Sequence, residues 1–363
     1  MFKYIFGRRH FFIGFYVFLF LLGCQTKNKS NTTNLALPLP ANKSTLAADS
    51  AKKINPIGHR LQVDGENFRP YFLKNSNAVI FVSQKRSAHK NPQIYRCLLN
   101  SSNNCEKETR LTFSDGEADF PVTLQNDEKI AYISTTDAIK ENPRLFSANS
   151  NLNIQLQDVF ITNTFAFPVE RLSKSALPIT SISPVSEHQL ILSVKIQKTT
   201  SDFISKILLI NWPQASSQEL LVAKNSEISF PIRNKNQVTI WSQKNSIWMQ
   251  NQKGKSEVAV NLFSSIHDIS WWDADHLSIL VSGRMHNDLF DQIYILDLRL
   301  NCSILLAATN TDLWYPQTAN KKLAYTAVVD GAQQIYIVNL LESLGACQSI
   351  SNQQAPQIHS ISN

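Results

Sequence analysis

The chain has 363 residues, 43% of them hydrophobic and 17% charged, with 10 Gly, 20 Phe and a formal net charge of +7. Such apolar content supports a large core and excludes a wholly disordered chain. Lys3, Arg8 and Arg9 supply three of the positive charges, which leaves about +4 for the remainder, too mild a surface to argue for nucleic acid.

The basic start runs into an unbroken apolar stretch, Phe11 to Leu22 (FFIGFYVFLFLL). As a helix this stretch is about 18 Å long, short of a ~30 Å hydrocarbon core, so it reads as the core of a signal peptide spanning residues 1–23. It ends at Leu21-Leu22-Gly23-Cys24, which resembles a bacterial lipobox, in which the Cys thiol takes up diacylglycerol and becomes the mature amino terminus. The resemblance implies lipidation at Cys24; an ordinary signal peptide with an incidental Cys is the alternative. Gln25, in place of Asp, implies the bacterial outer membrane as destination, with the protein anchored through lipid alone.

Residues 24–56 are Asn, Lys, Ser, Thr, Ala and Pro with only scattered Leu, a composition that cannot offset its own ordering entropy. A flexible tether with a typical reach of roughly 30 Å is expected there.

From residue 57 onward, short apolar strands alternate with polar turns. Arg110 to Thr135 (RLTFSDGEADFPVTLQNDEKIAYIST) holds a β-like run, the turn Asp115-Gly116, the marker Phe120-Pro121, a second turn and the strand Ile130 to Ser134. The pieces recur. Phe68-Arg69-Pro70, Leu177-Pro178, Phe230-Pro231, Trp271-Trp272 and Trp314-Tyr315-Pro316 each precede a turn and another apolar strand. A second signature follows each strand: Ile94-Tyr95, Leu145-Phe146, Ile207-Leu208, Ile247-Trp248, Ile293-Tyr294 and Ile335-Tyr336. Self-similarity at roughly 40 to 60 residues, with four strands per unit, predicts a β-propeller of six blades over residues 57–352, followed by a disordered tail over 353–363.

With Gln93-Ile94-Tyr95 before it, Arg110 to Thr135 resembles the repeat of TolB-like six-bladed propellers. The family's Ser-Pro-Asp-Gly turn is replaced here by Leu124-Gln125-Asn126-Asp127, Asp273-Ala274-Asp275 and Ala319-Asn320-Lys321. The resemblance implies an all-β fold and partners among envelope proteins, peptidoglycan-associated lipoproteins included.

Gly58 to Val63 precedes Asp64-Gly65-Glu66 as Arg110 to Phe113 precedes Asp115-Gly116-Glu117, so it is expected to close the ring as the outermost strand of the last blade. Besides Cys24 there are four cysteines, an even number that suits an oxidising compartment. Cys97 and Cys105 would face each other across a hairpin. Cys302 and Cys347 take matching places in consecutive blades and are expected to form a second pair.

No nucleophile elbow, HExxH, GxGxxG or phosphate-binding loop occurs, and no cofactor or metal site is expected. His276 beside Asp273 and Asp275 is read as turn chemistry. The links between second and third strands are long and polar: Ser83 to Pro92, Ser134 to Pro143, Val194 to Phe203 and Ser282 to Asp291. They load one face with Lys85, Arg86, His89, Lys90, Lys140, Arg284 and His286, either as a binding surface or as solvated loops. Glu66, Asp119, Glu227, Asp268 and Asp312 precede five of the six inner strands. They form either an acidic channel mouth for a cation or basic segment, or acceptors for nearby backbone N–H groups.

The expectation is therefore a monomeric, lipid-anchored envelope propeller that is not an enzyme and acts as a protein-interaction scaffold. The alternative is a propeller that binds a sugar or peptide, or that accompanies a separately encoded hydrolase.

Overall fold

The computed structural model describes residues 56–340 apart from 115, 136–156, 174–176, 198, 200, 260, 261 and 287, together with 348 and 349. A two-residue strand comes first, β1 (His59–Arg60). Blade one follows as β2 (Glu66–Leu73), β3 (Ala78–Gln84), β4 (Gln93–Leu99) and β5 (Cys105–Arg110). Blade two is β6 (Ala118–Leu124), β7 (Lys129–Ser134), β8 (Asp158–Asn163) and β9 (Val169–Arg171). Blade three is β10 (Ile179–Ser186), β11 (Gln189–Gln197), β12 (Phe203–Asn211) and β13 (Ser216–Lys224). Blade four is β14 (Ile228–Arg233), β15 (Thr239–Gln243), β16 (Ser246–Asn251) and β17 (Gly254–Ala259). Blade five is β18 (Phe263–Asp273), β19 (Ser278–Met285), β20 (Gln292–Asp297) and β21 (Cys302–Ala307). Blade six is β22 (Leu313–Ala319), β23 (Lys322–Val329) and β24 (Ala332–Asn339).

Within each sheet the strands lie in chain order and antiparallel. The six leading strands touch in sequence, with β22 returning to β2, and so form the inner wall of a closed ring. The chain is a six-bladed β-propeller. Its sixth blade is completed by β1, with His59 opposite Ile337 and Arg60 opposite Tyr336. Leu61 continues the contact through its N–H to the Ile335 carbonyl at 2.8 Å and is itself wholly buried. The last described strand, β25 (Gln348–Ser349), joins the outer edge of blade five beside Cys302.

Six apolar clusters hold the ring, each filled from two adjacent blades; Val122, Ile133 and Leu192, for example, meet between blades two and three. The second strands are therefore covered on both faces, and β3 is buried from Ala78 to Ser83 without alternation. Trp241, Tyr325 and Phe81 are fully buried, each contributing about 1.5–3 kcal/mol by removal from water.

The proline markers have a common structural meaning. Arg69, Phe120, Phe230 and Tyr315, each directly before proline, have φ of 51° to 53°. At those positions β2, β6, β14 and β22 break register with their neighbours. The residue before proline is excluded from the right-handed helical region. Here it goes left-handed and makes a bulge that swings the strand. Neighbours satisfy the displaced N–H groups: Arg69 N–H donates to Thr326 Oγ1 at 3.1 Å, Phe120 N–H to Asp119 Oδ1 at 2.7 Å, and Phe230 N–H to Ser181 Oγ at 3.0 Å.

Three local expectations need correction. The third strand of blade two, paired with β7, carries Val159-Phe160; Leu145-Phe146 lies outside the described residues. Leu177-Pro178 precedes β10, and that strand's own proline is Pro184. The outermost place in blade six belongs to β1, and residues 348–349 pair with the outer strand of blade five; Cys347 lies outside the described residues.

Candidate functional site in the central channel

Three of the bulges place Arg69, Phe120 and Tyr315 on the lining of a central cavity. Arg69 sits in the middle, its guanidinium 3.4 Å from the Phe120 ring centroid and 4.1 Å from that of Tyr315. Its Nε lies 2.9 Å from Asp119 Oδ1. Burial pushes the Asp119 carboxyl up, and Arg69 opposes that shift. Asp268, at the register break of β18, is the second acid at this level. Burial raises its pKa to about 7 against the opposing pull of Arg69.

Above this floor the channel widens into a funnel of about 570 Å³ that opens among the turns joining first and second strands, with Gln125, Glu187, Lys235 and Asp275 at its rim. Its walls carry Ile182, Val185, Ile232, Trp271 and Trp272, and Arg69, Phe120, Asp268 and Tyr315 line its base. A volume of several hundred Å³, mostly apolar with a few fixed polar groups, is the usual form of a ligand site.

The face bearing the polar links is organised differently. Glu66 meets Lys85 Nζ at 2.6 Å, Glu227 meets Lys195 Nζ at 2.5 Å, and Asp312 lies 3.4 Å from Arg284 Nη2. These acids and loop bases pair with each other, and their fields partly cancel. Two of the basic candidates are structural. Arg86 is only 8% exposed, grips Glu108 at 2.5 and 2.8 Å and lies 3.9 Å over the Tyr95 ring. His89 binds Tyr95 Oη at 2.7 Å and the Asn91 carbonyl at 2.8 Å. His286 is on the link after β19, Lys90 on the link after β3, and Lys140 lies outside the described residues.

His267 and Asp291 belong to a cluster that the sequence reading missed. Asp291, its side chain 2% exposed, receives Ser265 Oγ at 3.0 Å and Trp314 Nε1 at 3.0 Å, with His267 Nε2 at 3.1 Å. Burial alone would raise this carboxyl, but those hydrogen bonds outweigh it and hold the pKa at about 2. Every donor belongs to blade five or six, so the group clasps the two blades. The Asp directly before Gln-Ile-Tyr in β20 was the available signal.

Cys97 and Cys105 are disulfide-bonded across the β4–β5 hairpin, their Cα atoms 5.6 Å apart. Cys302 is also disulfide-bonded; Cys24 and Cys347 lie outside the described residues. His276 Nδ1 binds Asp273, which caps its own turn through the N–H groups of Asp275 and His276 at 3.0 Å each. Among the described residues no cluster of three or more His, Cys, Asp or Glu could hold a metal. No helix among them is long and apolar enough to cross a membrane.

No family model and no curated protein matches the chain. Solved structures do match. The nidogen/laminin complex is similar at TM-score 0.51 and 9% identity over 76% of this chain and 95% of the other. TolB from Acinetobacter baumannii is similar at TM-score 0.46 and 9% identity, over 78% and 65%. Acylaminoacyl peptidase from Pyrococcus horikoshii is similar at TM-score 0.45 and 12% identity, over 76% and 45%, so the chain spans less than half the length of that peptidase. At these identities the likeness is one of fold.

Proposed function

We propose that the chain is a lipid-anchored interaction module of the bacterial outer membrane that binds, without catalysis, a segment of another envelope protein in its central funnel. The funnel carries the reading. A cavity of ligand size, apolar walls and fixed charges converge there. The paired charges on the opposite face support it from the other side, since ion pairs already satisfied within the chain have less to offer a partner. The lipobox at Cys24 supports the anchor, and the diacyl group would give the two chains that stable anchoring needs.

The test is to block the funnel. Ser183→Trp places an indole on the wall, and cross-linked envelope extracts are compared for wild type, this variant and Lys85→Ala on the other face. Loss of the captured partner in Ser183→Trp alone supports the reading. Equal capture by all three, or a hit on a glycan array that survives Ser183→Trp, overturns it.

A further inference from the structure

We propose that the funnel is a receptor for a cationic group, an ammonium or guanidinium carried on an extended stem, and that Asp268 is the residue that receives it. This deepens the funnel-binding reading and rests on it.

Asp268 lines the cavity and accepts a hydrogen bond from the backbone N–H of its neighbour Ile269. Among the described residues it has no ion-pair partner, while Glu66, Asp119, Glu227 and Asp312 each have one. The groups that face it are Arg69 from blade one, His267 on its own strand and Tyr315 from blade six. Arg69 cannot turn to serve it without giving up Asp119 and the two aromatic faces that enclose the guanidinium.

The remaining charges on the funnel wall balance. Lys235 is joined to Asp275 at 3.0 Å, and Arg233 and Lys74 are offset by Asp127 and Glu187. Counting Asp119 against Arg69, the uncompensated charge is the one on Asp268, at the bottom of a low-dielectric cavity where it is felt most strongly. A half-buried carboxylate that has no ion-pair partner of its own is the complement of a cation without a carboxylate.

The wall says what carries that cation. Val185, Trp271 and Trp272, each half-buried, line the funnel and suit a methylene stem. A segment of another protein, the occupant proposed for the funnel, would carry such a cation as a Lys or Arg side chain. The raised pKa of Asp268 fits this role, because a bound cation favours the ionised carboxylate and draws the group below about 7. Binding should then release a proton near neutral pH and weaken as the medium is acidified.

The test is calorimetry on the full chain with three probes: acetyl-Gly-Lys-Gly-amide, the same peptide with norleucine for lysine, and butylamine. The lysine peptide should bind at about pH 8 and weaken about tenfold or more at about pH 6, and the norleucine peptide should be weaker by a similar factor. Asp268→Asn should remove the lysine preference, whereas Lys85→Ala on the opposite face should keep it. Butylamine binding as tightly as the peptide would assign the site to small amines; butylamine binding weakly would assign it to a chain segment. Equal binding of lysine and norleucine peptides, or an unchanged lysine preference in Asp268→Asn, overturns the proposal. If Ser183→Trp still blocks partner capture in that case, the funnel reading stands and only its chemistry falls.

Discussion

Gly58 and Ile337 meet so closely that a Cβ on the glycine would stand 2.5 Å from the Ile337 carbonyl oxygen, and the Gly58 φ of +101° is one that side chains resist. The contact joins the start of the propeller to its last blade. Gly58→Ala should therefore destabilise the whole ring, by about 1–3 kcal/mol. Leu61→Ala, at a fully buried site, should cost about 2–5 kcal/mol. Removing residues 25–50 should leave urea unfolding unchanged, and removing 25–66 should lower its midpoint sharply. Equal midpoints for the two truncations would show that β1 does not close the ring.

Joining Cys97 to Cys105 shuts a loop with a sequence separation of 8. Loop-closure entropy for so short a loop is worth about 2–3 kcal/mol. The double Cys97→Ala, Cys105→Ala variant should unfold at lower urea by about that much, and reduction of the wild type should produce no larger effect from this pair. Thiol labelling of the native chain should find both cysteines unreactive.

Arg86 and Lys85 are neighbours with opposite fates. Arg86 is enclosed by Glu108, Ser83 and the Tyr95 ring, while the Lys85 side chain is 64% exposed beside Glu66. Arg86→Ala should cost about 1–3 kcal/mol because it strands hydrogen-bonding groups of partly buried partners. Lys85→Ala should fall within about 0.5 kcal/mol. A larger loss at Lys85 than at Arg86 in thermal unfolding would contradict the assignment.

Asp268 and Asp291 should leave opposite marks on stability against pH. Asp268 ionises near about 7 when folded and near about 3.9 when unfolded, so the native state holds a proton that the unfolded chain has lost. Its contribution is therefore unfavourable above the unfolded value and grows as pH rises from about 4 to about 7, with a steepest slope of about 1.4 kcal/mol per pH unit. Asp119, also pushed up, acts in the same sense. Asp291, held at about 2, stabilises the fold above the unfolded value and loses that contribution as pH falls from about 4 toward 2. Asp268→Asn should flatten the neutral limb of the curve, and Asp291→Asn the acid limb. Urea titrations across this range read both, and an unchanged neutral limb in Asp268→Asn would refute the assignment of that slope.

Much of the architecture was legible because propeller strands are short, apolar and punctuated. Phe120-Pro121, Phe230-Pro231 and the Ile-Tyr pairs mark real positions in real strands, and the likeness of Gly58–Val63 to the run before Asp115 located the closing strand. In blade two the third strand carries Val159-Phe160, a pair that the Ile-Tyr pattern did not single out, while Leu145-Phe146 lies outside the described residues. The channel floor was harder still. Arg69 looks like one polar residue in a turn signal, and only the left-handed bulge before Pro70 sends its guanidinium to the axis. Arg86 read as a loop cation for the same reason, since sequence records a charge but not the carboxylate from another strand that absorbs it. Asp268 was named with four other acids, and nothing in its neighbours Ile-His and Ile-Ser distinguishes the one left without a cation.

The pairing of His59 with Ile337 also fixes an order of events. The ribosome makes β1 before any other described strand, yet its partner β24 is completed only after the rest of the ring has been made. Contacts so distant along the chain are slow to form. In the interval, the first-made strand must remain unpaired, and blade six, when it appears, must present an open edge to wait for it. That β1 is only two residues long limits the hazard, because so brief a stretch offers a passing chain little to pair with. The first-made of the described strands is thus the latch that falls last.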